Sequence, residues 1–477
     1  MSPRYRDRQR DRDKLLHSLW LRGIKALNVV LMSASFALCW QLYYAQRIVL
    51  PFSQRGNWAV IGLFTALYFV FARLYGGFMV SLARISELVY SQSLAVVFTD
   101  AIMYFVIFLL ARNFLSILPL LALLVGQALL AALWSVAAHK SYFARFAPLR
   151  TLVIWDLHKG VDELLRSDWL NRRFQVASVV HIEKCEGQLA EVMDGIDAAF
   201  LCGVHSHERN QIVKFCVQHN IRVYVIPSIG DELMQASKPV HILHLPMVTL
   251  ERYNPAPEYV AIKRLFDIVA SGAALILLSP LMLVVALLIR RDGGTVFYKQ
   301  KRLTKDRKEF YVIKFRSMRM DAEKDGVARL SAGDSDDRIT PIGRFIRACR
   351  IDELPQLINI LKGEMSIVGP RPERPEIAAK YEAELPEFAL RLQAKAGLTG
   401  YAQVYGKYNT TPYDKLLMDL HYIAHPSLAE DLRIIFATVK VLFEKESTEG
   451  FSEGQTAVEA ERKEAELGKT RQQSAVG

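Results

Sequence analysis

Four apolar stretches in the first 140 residues constrain this 477-residue chain more than any other feature. They cover residues 24–44, 58–75, 94–110 and 115–138, and a helix needs about 20 predominantly apolar residues to cross a hydrocarbon core. Four such runs joined by short polar connections are hard to bury in a soluble domain, so they are expected to form a four-helix transmembrane domain over residues 24–140. The first run is not expected to be a cleaved signal, because it is long and no small-residue cleavage pattern precedes the second run. With 51% hydrophobic and 23% charged residues, the chain is neither disordered nor collagen-like, and it is too apolar for an ordinary cytosolic enzyme.

Basic residues set the expected orientation. A leader over residues 1–23 carries Arg4, Arg6, Arg8, Arg10, Arg12 and Lys14; the second connection carries Arg73 and Arg84; Lys140, Arg145 and Arg150 follow the fourth run. By the positive-inside preference these three regions face the cytoplasm, although Arg47, Arg55 and Arg112 on the opposite side moderate the bias. The net charge of +11 points to nucleic acid, an anionic membrane surface or phosphorylated substrates. The five cysteines form no CxxC pair, which fits a reducing compartment and offers no zinc framework.

From residue 150 to 246 short β-rich runs at 151–155, 176–180, 198–201 and 222–226 alternate with helical segments at 160–165 and 206–219. That pattern predicts βαβ units and a parallel, Rossmann-like α/β domain on the cytoplasmic side. A dinucleotide fingerprint would put GxGxxG after the first strand; the chain instead reads Asp156-Leu-His-Lys-Gly160, with one glycine. A structural, regulatory or oligomerising role is therefore preferred to cofactor binding.

A fifth apolar run, 266–289, is long enough to cross, yet Lys263 and Arg264 flank one end and Arg290 and Arg291 the other. Ser279-Pro280 lies near its middle, where proline removes a backbone donor and bends a helix while the serine hydroxyl can serve the freed groups. The expectation is a re-entrant helix–break–helix that dips into one leaflet and returns.

Polar motifs then follow in order: Lys314-Phe-Arg-Ser-Met318, Ile342-Gly-Arg-Phe-Ile-Arg347, Ile351-Asp-Glu-Leu-Pro-Gln-Leu357, Gly369-Pro-Arg-Pro372, Gly397-Leu-Thr-Gly-Tyr-Ala-Gln403 and Asp419-Leu-His-Tyr-Ile423. Asp352 and Glu353 precede Leu354-Pro355 and a helical spacing of Leu354, Leu357, Ile358 and Leu361 that Gly363 should end. Both carboxylates are thus expected near a helix N-terminus. Simple capping would explain them, but Arg344, Arg347 and Arg350 just upstream also suit a phosphate site. Arg371 is stiffened between two prolines and presents a forked guanidinium. Strand alternation over Phe310-Tyr-Val-Ile-Lys-Phe-Arg316 should put Lys314 and Arg316 on one face, either solvated or aimed at phosphate.

These motifs, with the preceding Ser-Pro hairpin, resemble the bacterial sugar transferases, the polyprenyl-phosphate hexose-1-phosphate transferases, in their long form. The resemblance covers residues 258–445 and implies a mainly helical α/β catalytic domain on the cytoplasmic face of a bacterial inner membrane. It implies that Asp352 attacks the sugar-bearing phosphorus of a UDP-sugar, expels UMP and forms an aspartyl-phosphosugar intermediate that undecaprenyl phosphate resolves, as at the start of exopolysaccharide, capsule or O-antigen synthesis. Glu353 would bind Mg²⁺, and Lys314, Arg316, Arg347, Arg371 and Asp419 would serve the substrate. Glucose or galactose is the first expectation for the sugar.

The expected partners are thus UDP-sugar, undecaprenyl phosphate and membrane lipid, with a homodimer and no nucleic acid. Two other readings stay open: a membrane-tethered nucleotide-sugar oxidoreductase, weakened by the missing glycine fingerprint, and a non-catalytic scaffold, which leaves the carboxylate pair unexplained. The helical segment 428–443 could lie in the membrane interface or pack on the domain core, and the polar tail 446–477 is expected to be disordered.

Overall fold

The computed structural model describes residues 3–156, 172–185, 187–291, 293–319, 338–406 and 410–441. The expected helix at 160–165 and the tail 446–477 lie outside the described residues. The chain divides into two compact units between Ile226 and Pro227.

In the first unit the four apolar runs become helices α1 (Pro3–Cys39), α2 (Gln54–Leu74), α3 (Ile85–Ala111) and α4 (Leu118–Arg145), each long and apolar enough to cross a membrane. The basic leader is not separate from the first span, since one helix begins at Pro3 and continues as a π-helical turn to Tyr44. Polar side chains lock the bundle from within. Asn28 donates to Gln92 Oε1 at 3.1 Å and accepts from the Tyr68 hydroxyl at 2.7 Å, tying α1, α2 and α3 together where lipid offers no competing partner.

The same unit holds strands β1 (Leu149–Trp155), β2 (Phe174–His181), β3 (Ala198–Cys202) and β4 (Arg222–Val225), with helix α5 (Ser206–Gln218) between the last two. All four expected strands are present and parallel, in the order β2-β1-β3-β4. Leu152, Ile154, Ala199 and Leu201 pack on Ile212 and Cys216 of α5. Val153 and Cys202 face the other way, as period-two alternation requires.

The second unit opens with α6 (Ile229–Gln235) and the hairpin β5 (Lys238–Ile242) and β6 (Leu245–Thr249). The sequence pattern places residues 227–246 in the middle domain, but Ile229 and Leu233 pack around Leu416, Leu420 and Ile423, and Glu232 meets His421 Nδ1 at 3.2 Å. Helix α7 (Pro257–Arg291) follows.

The break expected at Ser279-Pro280 does not end this helix; Pro280 lies inside it. The physical reason is local. A proline at 280 orphans the carbonyl four residues back, that of Ile276, and the Ser279 hydroxyl donates to that carbonyl at 2.8 Å. Both halves of α7 are anchored on this unit. In the first half Arg264 donates to the carbonyls of Ile360 and Leu361 at 2.6 and 2.7 Å, and Asp267 accepts from the Ile367 amide at 3.0 Å. In the second half Val285 and Ile289 pack against Phe315 and Ile346. The intervening Ile276 and Leu277 are 79% and 78% exposed, surface that suits lipid.

The last described helix, α12 (Leu428–Val441), packs one face on the domain core. Ile434 is fully buried, and Asp431 accepts from Lys263 at 2.9 Å, Tyr259 at 2.9 Å and Tyr422 at 2.8 Å. Phe443 lies outside the described residues.

Candidate active site

Strands β7 (Phe297–Leu303) and β8 (Glu309–Phe315) form an antiparallel hairpin. Phe310 and Val312 point into a core with Leu357 and Ile360, and alternation puts Lys314 on that same side. Its Nζ reaches Glu353 Oε1 at 2.8 Å. Arg316 diverges, because the strand ends at Phe315. It is buried, and its guanidinium donates to the carbonyls of Ile289, at 3.2 Å, and Gly293. A carbonyl in the last turn of a helix has no intrahelical partner, so Arg316 caps the end of α7 and does not face the carboxylate pair.

Helix α8 (Pro341–Ala348) starts from Thr340, whose hydroxyl accepts from the Gly343 amide at 3.0 Å. It carries Arg347 and ends at Cys349. Arg350 then adopts a left-handed conformation, φ 52°, which turns the chain sharply into the 3₁₀ turn Ile351–Glu353. Helix α9 (Gln356–Lys362) follows, so the carboxylates precede a helix as the spacing predicts, although Pro355 occupies the capping position. Gly363 ends α9 at φ 85°, where a Cβ would also lie 3.3 Å from Arg264. The two Arg264 bonds serve the orphaned carbonyls of this last turn and fix α9 on the apolar helix.

The Pro370-Arg371-Pro372 loop is clamped carbonyl by carbonyl. Pro370 O accepts from the Gly397 amide at 2.9 Å, Arg371 O from Arg391 at 2.9 Å, and Pro372 O from Arg302 at 3.0 Å. Close backbone approach demands the neighbouring glycines. A Cβ on Gly369 would sit 2.3 Å from Lys395 O, and one on Gly397 2.1 Å from Gly369 N. So held, Arg371 Nη2 reaches Glu353 Oε1 at 3.0 Å, the oxygen already taken by Lys314.

Asp419 stands behind this loop. It is 1% exposed on α11 (Pro412–Ala424; α10 is Pro375–Glu384) and meets Arg391 at 2.8 Å through Nε and 2.6 Å through Nη2. Arg391 is 3% exposed and also lies 3.6 Å from Glu373. Its buried charge is therefore met by two carboxylates as well as by the Arg371 carbonyl, which satisfies the geometry a buried ion pair requires.

The electrostatics separate the two carboxylates. Burial acts to raise the Glu353 carboxyl, but Lys314, Arg371 and Arg350 outweigh it and hold the group well below the usual carboxylate range. A charge-assisted hydrogen bond contributes roughly 1.5–3 kcal/mol, so two on one oxygen offset a desolvation cost of several kcal/mol. Burial pushes Asp352 up, and Glu353 adds to that; Lys314, Arg347 and Arg371 oppose it without reversing the direction. Asp352 has no hydrogen-bond or ion-pair partner among the described residues, whereas Glu353 is locked. Environment thus gives adjacent carboxyls different chemistry.

Of the residues singled out from the sequence, the structure brings together Asp352, Glu353, Lys314 and Arg371, with Arg347 acting on Asp352 through its charge. Arg316 and Asp419 sit elsewhere, one capping α7 and the other orienting Arg391. Sequence reasoning missed Arg391, Arg302 and Glu373. Only Glu373 carried a signal, its adjacency to the Pro-Arg-Pro motif.

Helices long enough for a bilayer, an α/β unit and a cation-ringed carboxylate pair define a multi-pass membrane protein with a polar site suited to anionic substrates. Residues 258–445 match the family described as Bacterial sugar transferase. A UDP-glucose:undecaprenyl-phosphate glucose-1-phosphate transferase of Caulobacter vibrioides is 40% identical over 205 residues, 41% of this chain and 76% of that protein. An exopolysaccharide production protein PSS of Rhizobium leguminosarum bv. phaseoli is 43% identical over 188 residues, 37% of this chain and 93% of the relative. A UDP-N-acetylgalactosamine-undecaprenyl-phosphate N-acetylgalactosaminephosphotransferase of Aeromonas hydrophila is 39% identical over 231 residues, 48% of this chain. The match spans only 53% of that relative's length. The chain belongs to the bacterial sugar transferase family.

Proposed function

We propose that this protein moves a hexose-1-phosphate from a UDP-sugar to undecaprenyl phosphate, releasing UMP, as a first membrane step of polysaccharide synthesis. The observation that carries the reading is the asymmetry of the dyad: Glu353 is fixed by Lys314 and Arg371, while the adjacent Asp352 keeps its oxygens uncommitted among the described residues. A carboxylate oxygen of Asp352 attacks the sugar-bearing phosphorus; the new O–P bond forms as the bond to UMP breaks, and UMP departs with the electron pair. A phosphate oxygen of undecaprenyl phosphate then attacks the same phosphorus and frees the aspartate. One hard displacement between anions becomes two, with Lys314, Arg347 and Arg371 lowering the repulsion in each.

Mg²⁺ fits this donor set. Glu353 Oε1 holds both cations and Oε2 has no partner among the described residues, leaving one hard oxygen ligand to act with substrate phosphate oxygens. When bound, the ion neutralises charge on the diphosphate.

Anchoring of both halves of α7 on the one unit supports a re-entrant insertion with the dyad at the cytoplasmic face. The relatives' names extend from glucose to N-acetylgalactosamine, so the sugar is the variable to measure. UMP release from a panel of UDP-sugars with undecaprenyl phosphate should appear for one or a few of them. Asp352→Asn should abolish both turnover and the covalent sugar-phosphate adduct without lowering the melting temperature, since it removes a buried charge that the fold disfavours. Near-wild-type UMP release by purified Asp352→Asn protein would refute the mechanism.

A further inference from the structure

The β7–β8 hairpin has a second face. Alternation that sends Lys314 toward Glu353 sends Glu309, Tyr311 and Ile313 to the opposite side, where they help line a cavity of about 590 Å³ that Phe310 also lines. Lys299, Lys305, Lys308, Lys362 and Lys395 surround the same cavity.

Three acids also line it, and each is engaged elsewhere. Asp306 accepts from Arg252 at 2.5 Å, Glu309 from Lys301 at 2.9 Å, and Glu364 from Asn359 at 2.6 Å. None of the five lysines has an ion-pair partner among the described residues. Lys395 is half-buried, and its amine is held below the usual lysine range by burial and then by Arg264, Lys305 and Lys263, with only Asp267 opposing. Asn359 is neutral, so Glu364 keeps its charge at the cavity, but five lysines against that one carboxylate leave a net positive excess, and a concave site with such an excess favours an anion.

The surroundings indicate which anion. Lys263 and Arg264 sit where α7 turns apolar, next to exposed Leu265 and Phe266. A cavity of about 590 Å³ is far larger than inorganic phosphate requires and falls in the size range of sites for whole small-molecule groups. We propose that this lysine-lined cavity is a second phosphate site, separate from the carboxylate dyad, that takes the phosphate headgroup of an anionic membrane phospholipid. The site would seat the second unit on an anionic leaflet and does not depend on the catalytic reading.

The test uses the full-length protein in detergent micelles, titrated with phosphatidylglycerol or with phosphatidylcholine of the same acyl chains, with bound lipid counted by native mass spectrometry. The wild type should prefer phosphatidylglycerol, and Lys305→Gln/Lys395→Gln should lose at least about tenfold of that preference with phosphatidylcholine binding unchanged. Should that variant fail to fold, Lys299→Gln/Lys362→Gln alters two exposed side chains and should show the same loss. A folded variant that keeps the full preference overturns the proposal. So does displacement of phosphatidylglycerol by an equal concentration of inorganic phosphate, which would make the cavity a site for soluble anions.

Discussion

Arg391 shows how one residue can govern a site it does not line. Its guanidinium binds Asp419 in two places, lies beside Glu373 and donates to the carbonyl of Arg371, so the position of Arg371 over Glu353 is set from behind. A lysine could not reproduce this, because one ammonium cannot match a planar fork. Glu373 supplies the pH test. Burial acts to raise its carboxyl, but Lys415, Arg391, Arg302 and Arg371 hold it below its ordinary value of 4.5. A depressed folded-state pKa contributes stability that is full above the unfolded value and is lost as pH falls through the lower folded value. The melting temperature should therefore carry a Glu373 contribution that is flat from neutral pH to about 4.5 and declines below it. In Glu373→Gln that acid-side decline should be shallower; melts recorded at stepped pH with the same slope in both proteins would assign the decline to other carboxylates.

Among the elements, α7 makes the sharpest claim about local chemistry. In hydrocarbon an unsatisfied carbonyl has no water to turn to, and the Ser279 hydroxyl takes over the one that Pro280 leaves without a donor. With this segment in lipid, Ser279→Ala should cost about 1–3 kcal/mol, the penalty of an acceptor left unpaired away from water. In a Pro280→Ala background the same change should cost much less, since residue 280 then supplies its own amide. A double-mutant cycle read by denaturation in detergent gives the coupling directly, and additive effects would show that the hydroxyl is not serving the carbonyl. Sequence reading found the serine and its purpose yet expected a break at the proline; with the Ile276 carbonyl served by the hydroxyl, the helix runs on.

For the whole molecule, orientation is the property to test, and the cysteines provide native reporters. Cys185, Cys202 and Cys216 are buried, whereas Cys349 is exposed at the end of α8, three residues before Asp352. If the dyad faces the cytoplasm, a membrane-impermeant maleimide should label Cys349 in permeabilised cells and leave it unmodified in intact ones. Labelling of Cys349 in intact cells would reverse the topology and with it the access of UDP-sugars to the site.

Much of this was legible in one dimension. The four apolar helices, the four parallel strands and the helix closed by Gly363 follow from period, length and turn residues, which are local properties of the chain, whereas the Asp352-Glu353 pair stood out through the ordered motifs that carry the family resemblance. What the sequence could not decide was which charge meets which. Lys314 and Arg316 stand two positions apart with similar credentials; one reaches a carboxylate 39 residues away and the other caps a helix 27 residues back. Asp419 and Arg391 pair across 28 residues and vanish from the surface together. Side-chain direction beyond a strand's end, and the partner of a buried charge, depend on contacts between distant segments that only tertiary packing brings within reach.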